Sequence, residues 1–141
     1  IRKSTKDATF KNTLYFSSER FKRFARKVYV KFNEFQDQLQ EQIKLAKSTS
    51  DELYLKNLSN SIYVSVRRTV AKNPNTCGET IEKLSTDCSL NVSFIANMSN
   101  KNPNKRQIVM SHPCLSCSVD EIDYHKICGS CREIKQYNYQ A

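Results

Sequence analysis

The chain has 141 residues, a net charge of +9 and 38% hydrophobic residues, enough for one domain with a buried core. No apolar run approaches the roughly 18 residues of a membrane helix. Two glycines and three prolines argue against a turn-rich β fold. The charge is uneven: residues 1–50 carry 12 Lys/Arg against 5 acids, residues 51–100 carry 5 against 5, and residues 101–141 carry 6 against 4. This asymmetry leads to the expectation of a localised anionic partner.

Residues 1–16 read as an N-terminal tail, and 17–141 as a single helical domain. The first periodic stripe is Phe21, Phe24, Val28, Phe32, Phe35, Leu39, Ile43 and Ala46. Its steps of three and four describe one face of a straight helix over about 18–47, with Ser17 or Ser18 as cap. Thr49 and Glu52 have capping-box spacing, and Leu55, Leu58, Ile62, Val66 and Val70 continue as a second helix over about 50–72. Asn73-Pro74 ends it, since the residue before proline is steered out of helical geometry. Thr76 and Glu79 repeat the capping box, and Cys77, Ile81, Leu84, Cys88, Val92 and Ile95 form the stripe of a third helix over about 77–99. The tetrapeptide KNPN at 72–75 and 101–104 reads as punctuation, because the residues after the two copies do not align. Ile108-Val109-Met110 has the look of an extended patch. Ser118 and Glu121 would cap a fourth helix over about 119–136, carrying Val119, Ile122, Ile127 and Ile134. The expected fold is all-α, a four-helix bundle-like domain.

Six cysteines decide the compartment. Cys114, Cys117, Cys128 and Cys131 form two Cys-x-x-Cys pairs, a spacing that brings four thiolates to one structural zinc. The ten-residue interval is shorter than the usual pattern, although His112 or His125 could replace a ligand. Cys77 and Cys88 point elsewhere. On one continuous helix they stand three turns apart, about 16 Å, beyond the roughly 7 Å between α-carbons that a disulfide tolerates. Each would then pair with the C-terminal segment, Cys77 with Cys128 or Cys131 and Cys88 with Cys114 or Cys117, stapling the last helix to the third. An even count in a small chain suits that framework, as does a start at Ile1, which signal-peptide removal would leave. The reading is a secreted protein with disulfides and no metal. Intracellular zinc binding with nucleic-acid or protein interaction is the alternative. Sequons at Asn57, Asn91 and Asn97 mark possible glycosylation, but about two would arise by chance.

An enzyme is not expected. CGSC at 128–131 is similar to the thioredoxin-type redox motif over four residues only, without the βαβ setting. Cys114 with His112 or His125 lacks a glycine-rich turn to expose a nucleophile. Glu121 and His125 have the spacing of an ordinary helix-surface pair.

The candidate binding residues are Arg20, Lys22, Arg23, Arg26, Lys27 and Lys31 on the first helix, joined by Arg67, Arg68 and Lys72 at the end of an antiparallel second helix. Such a face would hold an anionic protein surface, anionic lipid or sulfated polysaccharide, its arginines gripping sulfate or carboxylate bidentately. Nucleic acid is disfavoured, because the neighbouring phenylalanines fall on the core stripe and cannot stack on bases; Tyr29 and Tyr63 are freer. In size, charge, helical pattern and paired cysteines the chain resembles the small helical proteins secreted in the saliva of blood-feeding arthropods. That resemblance implies an inhibitor of a host plasma cascade, coagulation or complement. The CLSC and CGSC ending departs from it. A secreted helical cytokine or hormone is the competing extracellular reading.

Overall fold

Straight 3.6-residue periodicity, with Glu19 at one end and Lys47 at the other to match the helix dipole, makes the first segment the longest element. The computed structural model describes residues 19–107 and 112–133, and α1 runs Glu19–Ser48. The chain divides into two compact units, Ile1–Gln38 and Leu39–Ala141, and α1 contributes to both. In the first unit the described residues are helical and nearly all exposed. The stripe expected to be core is open there: Phe24 is 64%, Val28 50% and Phe32 58% exposed. In the second unit the same stripe is internal, with Ile43 and Ala46 buried and Leu39 packed against the core. The proposed caps Ser17 and Ser18, and the tail 1–16, lie outside the described residues.

The continuous helix expected over 50–72 is two helices, α2 (Glu52–Leu58) and α3 (Val64–Lys72). Short polar side chains compete with the helical ladder at the break. Ser59 Oγ and Asn60 Nδ2 both donate to Lys56 O, at 2.7 and 3.2 Å, and Ser61 Oγ accepts from Tyr63 N at 3.3 Å. Ile62, read as part of the buried stripe, is 81% exposed. Asp51, not Thr49, caps α2, accepting from Leu53 N at 2.9 Å and Tyr54 N at 3.3 Å. Thr49 instead accepts from Asp51 N at 3.1 Å.

Asn73-Pro74 ends α3 as the sequence indicates, and buried Asn73 ties it to α1. Its Nδ2 donates to Ala46 O at 2.8 Å and Thr49 O at 3.0 Å, while its Oδ1 accepts from Asn75 N at 2.8 Å. Asn102 repeats the turn, accepting from Asn104 N at 3.0 Å. The two KNPN copies also meet, since Lys101 Nζ donates to Pro74 O and, at 3.0 Å, to Thr76 O.

The third expected helix, 77–99, is likewise divided into α4 (Gly78–Leu84) and α5 (Leu90–Met98). Thr76 is not its cap. The buried hydroxyl donates to Val70 O at 2.6 Å, leaving Cys77 at the cap position with no side-chain bond to the backbone N–H groups of the first turn. Gly78 admits a close approach, because a Cβ there would stand 3.2 Å from Lys101 O. In place of a fourth long helix come a 3-10 turn (Glu121–Asp123), α6 (Tyr124–Ile127) and a second 3-10 turn (Cys128–Ser130). Asp120, not Ser118, caps the first of these, accepting from Ile122 N at 3.2 Å. Residues 108–110 and 134–136 lie outside the described residues.

The described residues are all-helical, with six α-helices, 3-10 turns and no strand. In the second unit α3 is central, packing on α2, α4, α5 and the 121–123 turn. Val66 and Val70 join Leu55, Ile81, Leu84, Val92 and Ala96 in the core. No helix among the described residues is long and apolar enough to cross a membrane.

Candidate functional site

Nine cations were candidates, and the structure separates them by environment. Arg20, Lys22, Arg23, Arg26, Lys27 and Lys31 are exposed on α1. Among the described residues they form one ion pair, Lys22 with Glu19 at 2.9 Å. The other three belong to the second unit and pair there with two carboxylates, Asp87 and Glu121.

Arg67 grips Asp87 with both faces of its fork, Nε to Oδ2 at 2.6 Å and Nη2 to Oδ1 at 3.0 Å, while Nη1 donates to Ser61 O at 2.8 Å. Burial pushes the Asp87 carboxyl up. The Arg67 fork and the Ser89 N–H outweigh that and hold it below its ordinary value. This bidentate pair pins the turn between α4 and α5 to α3.

Arg68 is 1% exposed, which removes it from any binding face. Its Nη2 donates to Cys117 O at 3.0 Å, and its guanidinium lies 5.6 Å from the Tyr124 ring centroid. Nη1 stands 3.2 Å from Glu121 Oε1, near enough for Coulomb attraction but outside hydrogen-bond geometry. Nη1 and Nε consequently have no hydrogen-bond partner. The same oxygen of Glu121, itself 4% exposed, lies 2.6 Å from Lys72 Nζ. Lys47 pairs with the neighbouring Asp120, which lowers that carboxyl's pKa. These cations hold the 115–124 segment onto α3 and α1 beside a cleft of about 240 Å³. The expectation of an open anion site at Arg67, Arg68 and Lys72 is thus corrected, because internal carboxylates already occupy them.

The cysteines are also rearranged relative to the sequence reading. All six are thiols in the structure. Cys88 falls in the break between α4 and α5 and is exposed, so the continuous-helix distance to Cys77 does not apply. Cys77 contacts Thr80, Sγ to Oγ1 at 3.2 Å. Cys88 and Cys114 line one cleft with His112, and no disulfide joins them. Burial pushes the Cys114 and Cys128 thiols up, and the neighbouring Cys117 and Cys131 push both further. Among the described residues no three His, Cys, Asp or Glu form a metal-holding group.

Asn57 is exposed, whereas Asn97 is not. Asn97 is buried; Nδ2 donates to Ser93 O at 2.8 Å and Ser85 O at 3.1 Å, and Oδ1 accepts from Arg106 N at 2.9 Å. A glycan at Asn97 is incompatible with this fold. Phe24 and Phe32 are exposed rather than core, which removes the ground on which the sequence disfavours nucleic acid. The sequence reading missed the Arg68–Glu121 contact entirely, and no local signal marks it across 53 positions of chain. Comparisons with protein-family models, curated proteins and solved structures give no match.

Proposed function

We propose that this is a non-enzymatic binding protein that engages an anionic partner through the basic first half of α1. The observation that supports it is the exposure of six cations within residues 20–31, with one ion pair among the described residues. Arg20 and Lys22 stand in the first turn of α1, where cations work against the helix dipole. Arg67, Arg68 and Lys72 show the contrast: where this chain uses cations structurally, it supplies a carboxylate.

The extracellular form of the proposal is a secreted inhibitor that blocks a plasma cascade by occupying an anionic surface. Disulfides staple its C-terminal segment in that form. The shared cleft of Cys88 and Cys114 supports a first bridge between them. An intact mass six hydrogens below the reduced chain would meet that expectation; a fully reduced mass from an oxidising compartment would remove the staple.

Retention on heparin, used as a polyanion probe, tests the binding face. Arg23→Ala with Arg26→Ala should lower the salt needed for elution while leaving the thermal midpoint unchanged. Unchanged elution of that folded variant would refute the face. Delay in clotting or complement assays then tests the inhibitor.

A further inference from the structure

The basic half of α1 has a second property that charge alone does not use. At 100° per residue, Phe24, Val28 and Phe32 fall within an arc of about 80°. All three are at least half exposed. Arg20, Lys27 and Lys31 border one edge of this arc, and Lys22 with Tyr29 lies beyond the other. Arg23 and Arg26 occupy the opposite side. From Glu19 to Phe35 the surface is about 25 Å long at 1.5 Å per residue. It carries six cations against Glu19 and Glu34.

Helices with apolar side chains on one face and long cations along the borders lie in the plane of a lipid interface. The cations reach the headgroups while their stems stay on the apolar side. We infer that α1 docks on an anionic lipid bilayer, with Phe24, Val28 and Phe32 entering between the headgroups and Arg20, Lys22, Lys27 and Lys31 pairing with lipid phosphates. This rests on the reading that the basic half of α1 is the binding face, and it names that face's partner.

Other occupants match the surface less well. A sulfated chain would satisfy the cations and leave the three apolar side chains in water. A second copy would cover the apolar arc but would set a surface of net charge +4 against an identical one.

The chain contains no tryptophan, so Phe24→Trp in the whole 141-residue chain provides one reporter at an exposed position. Its emission should shift to the blue with phosphatidylserine-containing vesicles at low salt, and stay unchanged with phosphatidylcholine alone. Phe32→Ala with Val28→Ser should weaken vesicle binding at least about tenfold while heparin retention persists. Vesicle binding with the tryptophan still at its solvent wavelength would refute insertion and leave the charge-based reading standing. An emission already blue in buffer and indifferent to vesicles would show the arc covered by another part of the chain or a second copy, and would overturn the proposal. Quenching by a single-stranded oligonucleotide, with no response to vesicles, would reassign the face to nucleic acid. Loss of both vesicle and heparin binding would refute this inference together with the reading beneath it.

Discussion

Replacing Glu121 by Gln should be among the most damaging conservative changes in the second unit. The substitution keeps size and shape but removes the carboxylate charge beside Arg68, which is 1% exposed. Stripping one partner from a buried ion pair costs about 3–5 kcal/mol, because the remaining charge has neither water nor counter-ion. For a unit of this size, about 4–8 °C of midpoint per kcal/mol translates that into a fall of at least about 12 °C. Arg68→Met should behave differently. It loses the bond to Cys117 O and the Tyr124 contact, together worth about 2–4 kcal/mol. It also relieves Nε and Nη1 of burial without a hydrogen-bond partner, about 1–3 kcal/mol each. Glu121 meanwhile keeps Lys72 at 2.6 Å. The net change should stay within about 2 kcal/mol. In the Arg68→Met background, Glu121→Gln should then lose most of its cost. Urea and thermal unfolding of the two single variants and the double variant at neutral pH complete the cycle. Equal cost for Glu121→Gln in both backgrounds, or a cost below about 1 kcal/mol in the native one, would refute the buried-charge account.

Acid should weaken the fold through Asp87. Its folded pKa is lowered, so the stability it adds is complete above the ordinary carboxylate value of about 3.9 and is lost as pH falls through the lower folded value. The midpoint should hold from neutral pH to about 5 and drop below about 4, with a shallower drop in Asp87→Asn; thermal scans across pH will show it. Asn73→Ala should cost about 2–3 kcal/mol in urea, since it leaves the Ala46 and Thr49 carbonyls and the Asn75 N–H without their partner. In the reduced protein at mildly alkaline pH, Cys114 and Cys128 should alkylate more slowly than a cysteine in a model peptide, because their raised pKa values deplete the thiolate. Peptide mapping of iodoacetamide adducts over time measures this.

Some features were legible because they are local. Helix needs only nearest turns, so the 3.6-residue stripes and the near absence of glycine and proline determined an all-α chain by themselves. Asn73-Pro74 stopped α3 for a steric reason contained in two residues. The inward face of α4 and α5 followed from Ile81, Leu84 and Val92 in the same way.

Helix length was not local in this sense. The stripes run unbroken through Ser59–Ile62 and Ser85–Ser89, and periodicity does not count the hydrogen bonds that short polar side chains take from the ladder. Nor does a stripe state what covers it: one repeat is buried at Ile43 and Ala46 and open at Phe24, Val28 and Phe32. The cations divide for the same reason. Arg23, Arg26, Arg67 and Arg68 are alike as sequence, but a carboxylate 20 positions away meets Arg67 and one 53 away meets Arg68. Tertiary structure alone decided which of them became internal pairs, because that depends on where a distant acid is carried by the fold, and left the first half of α1 as the basic surface presented outward.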